Sequence, residues 1–307
     1  IVTAKILKIQ IYYKIVFEVN NSNHMIINYN NYTNVNYCWK KTHVNWNSNY
    51  LLGEQQSGLS SPKYDIGEGW AGPRHSKGGT YTENLNTSNF YSNGPNAFGI
   101  ANICSANSSS TDPSGNNHNT KLYVNTNLVY DSSYYGYKVH HISFDINQTN
   151  LSNSTTVNHS ISNIGQGTDY QHVSSISIWY PHNTNFFSYN SIHFGLPYTL
   201  GQKQRLTFDN IIQGANSPIL YMIDDIDRII PLAQNNNSQW EAVIPPPSYD
   251  SCLMFLSDES NTITISDLQP VNNDGLFHDI QNYQLDSAYI VITHNTLLSS
   301  SRDYATY

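Results

Sequence analysis

From Ile6 to Val19 apolar residues recur at every second position along the chain. Leu7, Ile9, Ile11, Tyr13, Ile15, Phe17 and Val19 fall on one side, and Lys8, Gln10, Lys14 and Glu18 on the other. A period of two is that of a strand with one buried face, so this stretch predicts one long strand or two joined ones. Residues 20 to 63 are Asn- and Tyr-rich with weak periodicity, and they fit either an irregular β region or a flexible lead. A Gly-rich stretch follows, Asp65 to Arg74 and then Gly78-Gly79. Glycines permit positive φ and close backbone approach, so a shaped loop is expected there.

Alternation then resumes. Lys121 to Tyr130 sets Leu122, Val124, Leu128 and Tyr130 on one face. Tyr137 to Ile146 sets Ile142, Phe144 and Ile146 together, and Val173 to Pro181 sets Ile176, Ile178 and Tyr180 together. Polar loops such as Asn107 to Asn119 separate them. After Pro197 the spacing tightens, with strands expected at Gln204–Ile212, Pro218–Ile223, Arg228–Ala233, Gln239–Ile244, Ser251–Leu256 and Asn261–Leu268. Short strands divided by polar turns predict an all-β chain of two β-sandwich or jelly-roll-like units, residues 64–183 and a smaller one at 184–285, after an unassigned region 1–63.

The last segment, 286–307, differs in kind. Ala288 to Thr293 is apolar on both faces, as in a buried parallel strand. His294-Asn295-Thr296 and then Leu297, Leu298, Arg302, Asp303 and Tyr304 read as a helix capped by Asn295 or Thr296. Strand, short loop and helix open an α/β domain.

Composition supports the β reading. Only 12% of the 307 residues are charged, yet the mean hydropathy is -0.47, because Asn, Ser, Thr and Tyr supply the polarity. Such residues suit pleated, half-buried surfaces and loops better than helices. The net charge of -8 and the lack of a Lys/Arg cluster interleaved with aromatics argue against a nucleic-acid partner. No apolar run reaches the roughly 20 residues of a membrane span. The first residues do not read as a signal peptide, since lysines break the apolar run and no small-residue cleavage site follows. An exported protein would therefore be present already processed.

Candidate chemistry is sparse. Cys38, Cys104 and Cys252 are far apart and odd in number, which suits buried thiols better than a metal site, with one Cys38–Cys104 bridge as the alternative. Asp224, Asp225 and Asp227 are the densest carboxylates, but they lack the calcium-loop spacing and read first as a solvated turn beside Arg228. His140 and His141 are neighbours in an expected strand, so they point to opposite faces and cannot share a metal. Ser191 and His193 lie close in sequence, but a triad needs geometry that spacing alone does not supply. Trp70, Trp179 and Trp240 read as packing before they read as a sugar-stacking platform. No catalytic, cofactor-binding or metal-ligating residue is assigned, and no cofactor is expected.

The order of features resembles a family. A Gly-Trp loop (Gly69-Trp70) opens a sandwich, and Ile178-Trp179-Tyr180-Pro181 closes it. Tyr221 to Asp225 leads a second β unit, and Asp286 to His294 begins an α/β domain. This resembles the region upstream of the peptidase domain in gingipain-type cysteine peptidases, and is most similar to the type IX secretion sortases of Bacteroidetes. The resemblance covers roughly residues 64 to 307. It implies a non-catalytic scaffold segment at the outer surface of the outer membrane, ending in the first strand and helix of a caspase-like domain. It also implies two partners, the downstream caspase-like peptidase domain and an outer-membrane barrel subunit. The whole protein would process secreted cargo and attach it to the surface. The catalytic His and Cys of such peptidases lie further along than this chain reaches, and no cysteine here inherits that role. The rival reading is a surface adhesin or carbohydrate-binding β-sandwich using exposed aromatics.

Overall fold

A computed structural model describes residues 29–52, 68–106, 115–162, 168–197, 201–212, 214, 217–223, 228–247, 252–261 and 298–305. The expected strands at Ile6–Val19 and Ala288–Thr293, nearly all of Asn261–Leu268, and the carboxylates Asp224, Asp225 and Asp227 lie outside these residues. The described part of the chain is all-β up to Asn261, relieved only by single 3₁₀ turns.

One nine-stranded sheet runs through two sandwiches. In order it comprises β10 (Val139–Ile146), β7 (Ala97–Ser105), β12 (Tyr170–His182), β2 (Cys38–Asn45), β13 (Ile192–Leu196), β19 (Cys252–Asp258), β15 (Pro218–Ile223) and β16 (Arg228–Ile230). The ninth strand, β5 (Arg74–Ser76), pairs with the start of β12. A four-stranded sheet of β6 (Thr80–Asn86), β11 (Ser154–Ile161), β8 (His118–Val124) and β9 (Asn127–Tyr134) packs over the β10–β7–β12 end. Another, of β1 (Thr33–Val35), β14 (Gln204–Thr207), β18 (Trp240–Ile244) and β17 (Ala233–Gln234), packs over the β13–β19–β15–β16 end. A two-stranded ribbon pairs β3 (Asn49–Leu52) with β4 (Glu68–Ala71).

The buried residues of the first core run from Leu85 to Tyr180, and those of the second from Phe186 to Leu256 together with Val35 and Cys38. The first joins Ile142, Phe144 and Ile146 of β10 and Ile176, Ile178 and Tyr180 of β12 to Leu122, Val124 and Val157 of the opposite sheet. The second joins Phe194, Met254, Leu220 and Met222 to Val35, Leu206, Ala242 and Ile244. Strand β2 serves both: Cys38 lies in the second core and Val44 packs on the first. Both are even-numbered positions of one strand, so both four-stranded sheets cover the same face of the long sheet. The other face carries Phe98, Ile100, Trp179, Trp39, Phe255 and Tyr221.

Three local features refine the sequence reading. The expected single strand Lys121–Tyr130 is a hairpin of β8 and β9, turning at Asn125-Thr126, with Asn125 at φ 53°. Asparagine tolerates the left-handed region because its short polar side chain bonds locally. Leu128, beyond the turn, is therefore exposed and does not share the buried face of Leu122. The stretch 20–63, without clear period, supplies β1, β2 and β3, and β2 is internal to the long sheet. The expected Gly-rich loop is partly strand, as β4 and β5. Its tight approaches are at Gly72, where a Cβ would lie 3.1 Å from both the Trp46 ring and the Val173 carbonyl oxygen, and at Gly79, where it would fall 2.7 Å from the Ser76 carbonyl oxygen.

A bulge in β12 sets the faces of its two halves. Val173 pairs with Ile103 and Ser175 with Asn102, which leaves Ser174 as the extra residue. Val173 and Ile176 consequently both face the first core. The backbone freed there is engaged, since Gly72 N–H donates to Val173 O (2.8 Å) and Trp46 N–H to Ser174 O (3.1 Å).

The segment after Asn261 forms a separate compact unit. Its described part is one α-helix, α1 (Leu298–Ala305), with Arg302 in its last turn, where a cation suits the helix dipole.

Candidate functional site

The inner faces of β8 and β11 change character along their length. Leu122 and Val124 of β8 meet the apolar core, but His118 and Thr120, in phase with them, continue the same face as polar side chains. On β11, His159 sits likewise between Val157 and Ile161. Opposite them the start of β12 supplies Gln171, preceded by Asp169. All of these are buried.

Buried polar groups need partners, and Asp169 organises them. Its carboxylate accepts from His118 Nδ1 (2.7 Å), from the Asn119 backbone N–H (2.9 Å) and from Gln171 Nε2 (3.0 Å). Gln171 also donates to Asn119 O (3.1 Å) and accepts from Thr120 Oγ1 (2.5 Å), with His159 Nε2 at 3.1 Å from the same oxygen. Tyr134 stacks on His118 at 4.9 Å between ring centroids, and His140 lies against Tyr134 at 4.3 Å. Burial pushes His159 down from 6.5 to about 4, so it is neutral at neutral pH. The His118–Asp169 pair has the geometry of half a catalytic triad, but it is sealed from solvent, with side chains 0% and 1% exposed. Its chemistry is that of a clamp holding β8 to β12.

A second polar group sits where the two cores meet. Lys40 Nζ donates to Tyr189 OH (2.6 Å) and lies 4.4 Å from that ring's centroid. His182 stacks on Phe186 of the second core, and its Nε2 is 3.3 Å from Tyr189 OH. Burial pushes His182 down to about 4, and the Lys40 charge acts in the same direction.

The sequence candidates are dispersed. His140 faces inward to Tyr134, and His141 faces outward with its Nδ1 2.6 Å from Asn102 Oδ1, so the two do sit on opposite faces. His193 packs on Phe255 at 4.4 Å on the outer face of the long sheet, and Ser191 is exposed just before that strand. Trp179 stacks on Phe98 on the outer face, Trp70 sits edge-on to Tyr50 on the ribbon, and Trp240 packs against the second core. The three tryptophans form no common platform. Cys38, Cys104 and Cys252 are buried free thiols, so the alternative Cys38–Cys104 bridge is not formed. Burial raises Cys38 strongly and Cys104 to about 11, which leaves both far from reactive thiolates. Among the described residues no group of three or more His, Cys, Asp or Glu is placed to hold a metal ion, and no helix is long and apolar enough to cross a membrane.

Hydrophobic alternation missed the Asp169 node because its members are polar. The one available signal was phase: His118 and Thr120 continue the face of Leu122 and Val124, as His159 continues that of Val157.

No family model matches this chain, and no curated protein does. Among solved structures, the crystal structure of dimeric latent PorU from Porphyromonas gingivalis is similar to it, with a TM-score of 0.53 and 14% identity over 75% of this chain. The match spans 21% of the length of that PorU chain. At this identity the likeness is one of fold, and this chain has the β architecture of a portion of PorU.

Proposed function

We propose that this chain is the non-catalytic β scaffold of a type IX secretion sortase-like cysteine peptidase, held at the outer surface of the outer membrane. The observation that carries the reading is the fold shared with part of PorU over three quarters of the chain. Two further features support it. The best-formed polar cluster, around Asp169, is closed and built for rigidity. The described thiols are buried, with the pKa of Cys38 and Cys104 raised, so neither suits a nucleophile. In this role the long sheet would present its outer face to neighbouring parts of the machinery, namely a caspase-like peptidase domain encoded downstream and an outer-membrane barrel subunit. Cargo processing and surface attachment would belong to the whole protein.

Reading the gene past Tyr307 tests this directly. The proposal expects a His and then a Cys at the ends of successive apolar strands of an α/β domain. The polypeptide encoded there should co-purify with residues 1–307 when the two are co-expressed as separate chains. A further β-sandwich in that position, or an α/β domain that does not associate, overturns the reading.

A further inference from the structure

Strands β9 and β10 are the outermost strands of the two sheets that enclose the first core, and in the described residues neither has a partner on its far side. Between these edges lies an open groove of about 740 Å³, within the size range of small-molecule sites. Among the described residues its lining carries one charge. Apart from Asp145 it is uncharged, with Asn127, Ser143 and Asn147 supplying polar groups and Phe98 and Leu128 supplying apolar surface. Phe98 and Leu128 are also among the few large hydrophobic side chains that stand exposed, at 40% and 51%.

Phe98 is fixed in place. Its cross-strand neighbours are Trp179 on β12 and Asp145 on β10. The ring stacks on Trp179, 5.1 Å between centroids and 6° from parallel, and Trp39 leans on it at 5.8 Å and 57°, while Phe98 and its neighbour Asp145 both line the groove. Asp145 makes no hydrogen bond or ion pair with the described residues. Asn147 has its amide oriented, because Oδ1 accepts from Thr149 N (3.0 Å) and from Thr149 Oγ1 (2.8 Å), which leaves the NH₂ as the donor for a ligand.

We infer that this groove is a binding site for a neutral oligosaccharide. A pyranose has an apolar C–H face, which packs on an aromatic ring, and a rim of hydroxyls. A carboxylate accepts from two adjacent hydroxyls, and a planar amide donates to another. An exposed phenyl ring beside an uncommitted carboxylate and an oriented amide supplies each of these groups. A rigid ring and short side chains also lose little entropy on binding. The described lining holds no cation, and Asp145 repels carboxylate and sulfate, so uronic or sulfated sugars are disfavoured. This inference is independent of the scaffold proposal, since it concerns a surface within the first sandwich whatever is encoded beyond Tyr307.

The test is titration calorimetry on the full 307-residue chain with cellohexaose, mannohexaose, maltohexaose and, as the anionic counterpart, hexagalacturonate. Tryptophan emission is followed in parallel, because Trp179 lies directly behind Phe98. At least one neutral hexasaccharide should bind saturably at millimolar concentration or below. Asp145→Asn, on an exposed side chain, should weaken it about tenfold without changing the melting temperature. Phe98→Leu should weaken it by a similar factor, and Trp70→Ala should leave it unchanged. The proposal is overturned if no neutral probe binds in the millimolar range or if hexagalacturonate binds best. It is equally overturned if both groove variants bind like the parent.

Discussion

Gly195 sits opposite Trp39, and this register pair is where β13 meets β2 and the sheet passes from one sandwich to the other. On its far side Gly195 pairs with Leu253 of β19. The glycine is not demanded by strain or crowding, because a Cβ there would lie 3.5 Å from the Trp39 Cβ, an ordinary contact. Backbone pairing is what matters at this position. Gly195→Pro removes an N–H and introduces a ring in an internal strand, at a cost of about 3 kcal/mol or more. Gly195→Ala should be close to neutral. We expect Gly195→Pro to uncouple the sandwiches. Urea unfolding followed by Trp46, packed on the first core, and by Trp240, packed on the second, should give coincident curves in the parent. The curves should separate in the variant.

Gly99 shows the opposite requirement. It pairs with Phe144 across β7 and β10, and a Cβ on it would fall 2.3 Å from the Phe144 ring. The ring therefore lies over the glycine and fills the space a side chain would take. Phe144 is buried, so Gly99→Ala must push it into packed neighbours, an overpacking cost of roughly 1–3 kcal/mol. Trimming the ring should relieve the clash. The double variant Gly99→Ala/Phe144→Leu should destabilise by less than the sum of the two single changes, as measured by urea denaturation.

How far the sequence discloses this fold depends on what each strand buries. Ile142, Phe144 and Ile146, or Ile176, Ile178 and Tyr180, alternate cleanly because one face meets an apolar core, and the all-β reading follows from them. Strand β2 does not alternate legibly. Its inner face mixes Cys38, Lys40, Thr42 and Val44, and Lys40 is tolerated there because Tyr189 takes its ammonium. Val173 is in phase with its strand only through the bulge at Ser174, which no period reveals. The hairpin at Asn125 was hidden because a single asparagine carries the positive φ without a glycine beside it. The Asp169 node stayed invisible for the same reason that it is rigid, since it replaces apolar side chains by hydrogen-bonded ones on a buried face.

The cysteines make a simple solution prediction. All three are free and buried, so a thiol reagent such as Ellman's should label none of them quickly in the native protein. Three thiols per chain should react in guanidinium without reductant. A count of one in guanidinium would mean that a bridge forms.

Two buried imidazoles should make stability depend on pH. His159 and His182 are held near 4, below their ordinary value of 6.5, chiefly by burial. In the unfolded chain both bind protons from about pH 6.5 downward, whereas in the folded protein they resist until about pH 4. Stability is therefore fully present above pH 6.5 and declines as the pH falls toward 4, by an amount on the order of 3 kcal/mol for each group. His75, His140, His172 and His193 are lowered as well and add in the same sense. Unfolding free energies from urea titrations between pH 7 and 4 should follow this slope, and His159→Gln should flatten it. A variant with the parent's slope would mean that His159 does not carry its share.

The Asp169 clamp should be the most sensitive ionic feature among the described residues. Its carboxylate accepts from three buried donors, and Asp169→Asn keeps the shape while turning one acceptor into an NH₂ that must face another N–H. Breaking one side of a buried, hydrogen-bonded charge costs about 3–5 kcal/mol. The Lys121–Asp131 pair offers the control, since it joins the same hairpin at 3.1 Å but both side chains are partly exposed. Solvent screening and side-chain entropy reduce such a pair to about 1 kcal/mol or less. Asp131→Asn should accordingly leave the urea midpoint nearly unchanged, while Asp169→Asn lowers it sharply. The loss should also be shared with His118. In a double-mutant cycle, His118→Ala on the Asp169→Ala background should cost much less than on the parent, because the hydrogen bond it would break is already gone. Independent, additive losses would mean that the two side chains are merely neighbours and that β8 is held to β12 by its apolar face alone.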